Sequence, residues 1–261
     1  MPTSDEDTAS SSTGRVPTNL RTLLILEAVA AADNPPSAAE LGRMVGLPKP
    51  SAHRLCARLE AEGFLVHTEA GGGYRAGRRA RLLASALLHS SSLHVARHQV
   101  MQALAAEIGE TVNFVVPEDG GMSYKDRVET NWAFRIQLPV GTHVPFHCTA
   151  SGKAWMATLP PARRRRVVRS LRLEAMTPNT ITEPAALLEE LERTAARGYA
   201  LDDEEFMEGM VAAAVAVRDP QGRYAASLAF HGPLQRVTLE RAIALTPALH
   251  RAAERLTEVM F

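Results

Sequence analysis

Apolar residues at Leu20, Leu23, Leu24, Leu26, Ala28 and Val29 recur at helical spacing, which predicts a helix over 18–32. Asp33, Asn34, Pro35 and Pro36 end it. Ser37 opens a second helix. Glu40, three residues on, completes a capping box, in which each side chain satisfies the other's backbone N–H. This helix stops at Val45 and Gly46, because glycine tolerates the left-handed turn that ends a helix. A third helix starts around Pro48, where a missing N–H costs nothing, and runs on through Leu55 and Leu59 to Gly63. Residues 64–68 read as a strand, 69–73 as a glycine-rich turn and 74–76 as a returning strand. Three helices followed by a hairpin predict a winged helix-turn-helix over 18–77. A helix over 78–90, polar on one side, follows within a linker assigned to 78–93.

From residue 94 onward, helices and strands mix. Helices are predicted over 95–108, 152–159, 161–171, 184–197 and 239–259. Strands are predicted over 111–116, 122–128, 133–138, 211–218 and 223–230, the last two joined by a turn at Asp219, Pro220, Gln221 and Gly222. This order predicts an α+β domain over 94–261, built on an antiparallel sheet. No internal repeat is visible.

Composition changes this picture only locally. The formal net charge of the 261 residues is zero. Between Leu41 and Arg81, however, eight basic residues face three acidic ones, a net of +5 that suits a phosphate-binding face. The two cysteines, Cys56 and Cys148, lie far apart and imply no disulfide framework, so a reducing compartment is expected. Residues 1–17 are rich in Ser, Thr, Asp and Glu and lack the basic start and apolar core of a signal peptide, so they read as a disordered tail. No apolar run approaches the ~18 residues of a membrane span, and a cytoplasmic location is the expectation.

In a helix-turn-helix the second helix of the motif lies in the major groove with its N-terminal side chains on base edges. Here those side chains are Lys49, Pro50, Ser51, His53 and Arg54. Lys and Arg neutralise phosphates or reach guanine, while Ser and His can each donate or accept at a base edge. Arg75 on the wing, and Arg78 and Arg79 after it, can lie along the sugar–phosphate backbone.

The stretch Gly46-Leu47-Pro48-Lys49-Pro50-Ser51-Ala52-His53-Arg54-Leu55 resembles the recognition-helix motif of the IclR family of bacterial regulators. The likeness runs over nearly the whole chain after the tail. It includes Arg127-Val128-Glu129, residues 141–153 (GTHVPFHCTASGK), residues 177–182 (TPNTIT) and residues 197–205 (RGYALDDEE). The resemblance implies a winged-helix domain, a linker helix and a GAF-like effector-binding domain. It also implies double-stranded operator DNA of near-palindromic sequence as a partner, dimers through the DNA-binding halves and often tetramers through the sensor halves. The family's effector pocket falls on Ala133 and Ile136, on Ala150 and Ser151 at the start of a helix, and on Asp202, Ala212, Ala229 and His231. Ala212 stands where many members have Cys, and Ala229 and His231 stand where many have two Ser. Those departures widen the pocket and make it more apolar. His231 would add a group able to carry charge near neutral pH. The expected effector is a carboxylate bulkier than a two- or three-carbon acid, aromatic acids included.

Other constellations carry less. His94 and His98 stand one helical turn apart, a spacing that can hold a metal, and His143, His147 and Cys148 cluster. Neither set has further ligands at standard spacing, so no metal and no cofactor are expected. Cys148 near a helix start could have a lowered pKa and act as a nucleophile or redox switch. Cys56 reads as core. The run Arg163 to Arg166 points around a helix rather than along one face, and reads as solvated. Three functions stay open: a ligand-responsive regulator, a constitutive DNA-binding regulator with a vestigial sensor, and an enzyme using the sensor pocket.

Overall fold

The structure is a computed structural model that describes residues 17–68, 72–88, 91–118, 120–133, 136 and 138–261. The expected tail, the tip of the first hairpin and parts of the linker and of the 133–138 segment lie outside the described residues. The chain divides into two compact units between residues 90 and 91.

In the first unit, α1 (Arg21–Ala31), α2 (Ala38–Met44) and α3 (Lys49–Ala61) precede the antiparallel hairpin β1 (Leu65–His67) and β2 (Tyr74–Ala76), and α4 (Arg78–Leu88) follows. The Ser37 capping box forms in full: Glu40 N–H donates to Ser37 Oγ at 3.3 Å and Ser37 N–H to Glu40 Oε2 at 2.8 Å. Ile25, Leu41, Cys56 and Leu65 are fully buried and clamp the three helices to the hairpin. The hairpin is also tied to the α1–α2 loop, since Tyr74 N–H donates to Pro36 O at 2.9 Å. Gly73 permits that approach: a Cβ there would lie 2.1 Å from Pro35 O.

The second unit is built on one antiparallel six-stranded sheet in the order β5-β4-β3-β8-β7-β6. Its strands are β3 (Thr111–Glu118), β4 (Gly121–Val128), β5 (His143–Val144), β6 (Ala200–Asp203), β7 (Met210–Arg218) and β8 (Tyr224–Pro233). Along β7, Val211, Ala213, Val215 and Val217 alternate with Ala212 and Ala214, and all are buried, so both faces of the sheet are covered. The helices α5 (Ser91–Ile108) and α9 (Leu239–Met260) pack together with the sheet. The helices α6 (Ala150–Ala157), α7 (Pro161–Ser170) and α8 (Pro184–Arg197) form the remaining layer, with α6 against β6, β7 and β8. The architecture is α+β.

Two sequence expectations are corrected here. The described residues between 133 and 138 form no strand; the sheet edge is the two-residue β5, which pairs Val144 with Met122. Ala200 to Asp203, where no strand is predicted, form strand β6 beside β7. Their acidic end hides the signal: Asp202 is buried, and Glu204 turns the chain with φ 57°.

Candidate functional site

Two candidate sites rise from these elements, one in each unit. In the first, α3 presents Lys49, Pro50, His53 and Arg54 to solvent, with Ser51 half-buried, while Ala52, Cys56 and Leu59 on the opposite face lock the helix into the core. Burial pushes the Cys56 thiol up to about 11, as expected for a core residue. Arg75 and Arg78 are exposed on the same unit. Arg79 is engaged instead: its guanidinium binds Glu62 at 3.1 Å and lies 4.6 Å over the Phe64 ring. It therefore fastens α4 to the end of α3, and a phosphate would have to compete with Glu62 for it.

The second site lies on the sheet face that meets α6. Strand register aligns Asp202, Ala212, His231 and Thr111 in one row, and Ala200, Ala214, Ala229, Asn113 and Arg127 in the next. Six alanines, Ala150 and Ala154 of α6 with Ala200, Ala212, Ala214 and Ala229 of the sheet, form a buried cluster lined only by methyl groups. The helix is seated by polar contacts at its start. Thr149 Oγ1 accepts from Gly152 N–H at 3.2 Å and donates to Pro145 O, and Ser227 Oγ donates to Ser151 O at 2.9 Å. Ser151 is buried beside this cap.

A relay of hydrogen bonds closes one end of the face. Arg127 Nη1 donates to Asn113 Oδ1 at 3.0 Å, and Asn113 Nδ2 donates to His231 Nδ1 at 3.2 Å. His231 Nε2 donates to Ile136 O at 3.4 Å, and Arg127 Nη2 reaches the same carbonyl at 2.7 Å. This arrangement overturns the expected charge on His231. Burial, and then the Arg127 guanidinium, push its pKa down to about 4, so the ring is neutral at neutral pH. The cation beside His231 is Arg127, a residue the sequence singles out only as part of a motif. What finds it is the pairing of β3 with β4, which puts Arg127 directly opposite Asn113.

At the other end, Asp202 is buried and accepts from Glu205 N–H at 2.8 Å and Phe206 N–H at 3.2 Å. Burial raises its pKa to about 7 against the pull of Lys153. Lys153, itself fully buried, is ion-paired with Glu205, whose pKa burial also raises. Cys148 sits among these carboxylates. Burial, with Asp202 and Glu205 nearby, pushes its thiol up to about 12, the reverse of the activated thiolate that its place before α6 suggests. Ile136 belongs to the site through its carbonyl, whereas Ala133 is exposed and outside the buried cluster. Of the four arginines in the run, Arg164 turns inward and donates to Ala157 O at 2.6 Å while its neighbours are exposed.

His231 and Asp202 should pull stability in opposite directions with pH. The unfolded chain protonates His231 near its ordinary value of about 6.5, whereas the folded chain holds it to about 4. Folding therefore releases a proton in that window, and stability rises with pH from about 4 to 6.5. Asp202 does the reverse. The folded chain keeps its proton up to about 7, the unfolded chain only to about 4, so stability falls across the same window. His231→Asn should thus make the urea-derived stability fall more steeply between about pH 4 and 7, and Asp202→Asn should make it rise, each by on the order of 3 kcal/mol. Parallel profiles for wild type and both variants would refute this account of the burial.

Comparison with known proteins bears on the family of the chain. Residues 85–258 match the family described as bacterial transcriptional regulator IclR, C-terminal, and residues 20–69 match the IclR helix-turn-helix domain. The chain belongs to the IclR family. It is 38% identical to the probable transcriptional regulator SauR of Cupriavidus necator, over 92% of this chain and 95% of that protein. It is 30% identical to the transcriptional repressor IclR of Escherichia coli, over 94% and 90% of the two chains. Its fold matches the crystal structure of Thermotoga maritima IclR with a TM-score of 0.62 at 26% identity, covering 93% and 98% of the two chains. As an IclR-family chain it is a DNA-binding transcriptional regulator, and among the described residues no helix is long and apolar enough to cross a membrane.

Proposed function

We propose that the chain is a ligand-responsive regulator whose effector is an organic carboxylate with an apolar, aromatic-sized body. The observation that carries this reading is the buried alanine face, bounded by Arg127 with its relay at one end and Asp202 at the other. An aromatic ring fits against methyl groups, and a guanidinium suits a carboxylate, which would compete with Glu129, the partner of Arg127 Nε at 2.9 Å. The N-terminus of α6 adds a favourable dipole on the same side. Ala150, Ser151, Ala212, Ala229, His231 and Ile136 would line the site, with His231 acting as a neutral hydrogen-bonding group.

Lys49, Pro50, Ser51, His53, Arg54 and Arg75 would meet operator DNA. Two copies in a dimer would span two half-sites, and effector binding would shift the relative populations of arrangements that fit them. An enzymatic role for Cys148 is disfavoured by its burial and raised pKa. One observation favours a constitutive regulator with a vestigial sensor: the two α6 alanines already close on the sheet alanines, so a ligand must part them.

A thermal-shift screen with pyruvate, glyoxylate and substituted benzoates separates these readings, run alongside binding to a duplex selected by the protein from a random pool. A benzoate in hundredfold excess over its Kd should stabilise the fold by about 2.7 kcal/mol. Ala212→Leu should abolish that shift while leaving duplex binding intact. Equal stabilisation by pyruvate or glyoxylate would overturn the aromatic class. No shift from any acid would leave the constitutive reading. Arg54→Ala should weaken duplex binding and flatten its salt dependence.

A further inference from the structure

Asp126, on β4, completes a grouping that sequence spacing cannot display. Helix α5 stacks His94 and His98 one turn apart, with ring centroids 5.5 Å from each other. His98 Nδ1 lies 2.9 Å from Asp126 Oδ1, and His94 Nδ1 lies 3.3 Å from Asp126 Oδ2. Among the described residues this is the one set of three such side chains whose ligand atoms all fall within 4.8 Å of one another. We propose that His94, His98 and Asp126 form a binding site for a divalent transition-metal ion of the zinc, cobalt or nickel type.

The donor set fits that class. Two imidazole nitrogens and one carboxylate oxygen suit borderline divalent ions and leave a position for water or a further ligand. Asp126 is buried and held from both sides, by Arg97 Nε on Oδ2 at 2.9 Å and by the Arg127 backbone N–H on Oδ1 at 2.8 Å. Such outer contacts fix a ligating carboxylate in place. The two histidine side chains are 45% and 33% exposed, which leaves an entry path from solvent.

The hydrogen bonding without an ion is also in conflict. His94 Nδ1 lies 2.8 Å from Arg97 Nη2, a donor, and faces Asp126 Oδ2, an acceptor. Whether or not Nδ1 carries a proton, one of those two contacts sets like against like. An ion on the Nδ1 lone pair removes the clash with the carboxylate. Arg97 would then give up the Nη2 contact and keep its Nε bond. The guanidinium opposes a second cation, and Asp126 offsets that charge in part, so affinity should fall below that of a site without an arginine. Bound there, the ion would clamp α5 to β4, one residue from Arg127.

The test is titration of the tag-free, chelator-stripped chain with Zn2+ by calorimetry and with Co2+ by visible absorption. The expected result is one ion per chain, a d–d band from Co2+ and a rise in Tm with Zn2+. His94→Ala and His98→Ala should each weaken binding by more than about tenfold, while His143→Ala, which removes an exposed histidine paired with Glu118, should change nothing. His98→Gln keeps a hydrogen-bonding side chain on the helix and should lose the ion with the fold intact. No saturable binding, binding that survives both alanine variants, or loss in only one of them would overturn the site.

Discussion

Gly152→Ala is expected to destabilise the second unit by about 3 kcal/mol and to abolish any effector response. In a helix interior this change would ordinarily gain up to about 1 kcal/mol, because alanine is the better helix former. Here the sign reverses on geometry. A Cβ at Gly152 would lie 2.2 Å from Phe146 O and 2.6 Å from Phe146 Cα, both backbone atoms that cannot swing aside. Either α6 must lift off the sheet or the segment before it must move. Lifting α6 breaks the bond from Ser227 to Ser151 O and opens the alanine cluster. Moving the segment disturbs the Thr149 cap and the Phe146 ring, which packs on Trp155 with centroids 4.5 Å apart.

A control separates this crowding from generic glycine strain. Gly222, in the β7–β8 turn, has φ 77° and open space around its Cβ position. Gly222→Ala should cost only about 1 kcal/mol and leave a carboxylate-induced Tm shift unchanged. Urea denaturation of both variants decides the matter: equal losses would mean that the close approach of Phe146 does not limit α6.

The same contrast between local and distant causes explains what the sequence makes legible. The Ser37 box, the α8 boundaries and the exposed face of α3 rest on interactions a few residues apart, and spacing alone displays them. The failures all depend on partners far along the chain. The segment 133–138 has the alternation of a strand, but its described residues, 133, 136 and 138, form none, and β4 takes its outer partner from His143 and Val144. Asp202 and Asp203 carry no apolar signal of a strand, yet β7 pairs with them, and the first is buried. His231 reads as a cation because its type permits one. Its neutrality is set first by burial and then by Arg127, which stands on a different strand and reaches it through Asn113. Asp126 completes the histidine pair of α5 only because β4 lies beneath that helix.

Lys153→Met should be the other severe substitution, costing about 3–5 kcal/mol at neutral pH. Lys153 is fully buried and is the cation facing Glu205, with Asp202 and Glu190 within its field. Among the described residues Glu205 Oε2 is buried without a hydrogen-bond partner, which leaves the carboxylate dependent on the ammonium for its charge compensation. Methionine keeps the length and the packing of the stem, and the loss then reports the stranded carboxylates rather than a cavity. The loss should shrink as pH falls. Burial already raises the pKa of both Glu205 and Asp202, and removing the lysine raises them further. At low pH both groups are neutral and the missing cation no longer matters; as pH rises through their folded values, the folded chain must release protons that the unfolded chain has already lost. Glu205→Gln in the Lys153→Met background should recover much of the stability, because a neutral amide needs no counter-charge. A loss independent of pH, or a double variant no more stable than the single one, would mean that Lys153 acts by packing and that charge compensation does not hold α6 to β6.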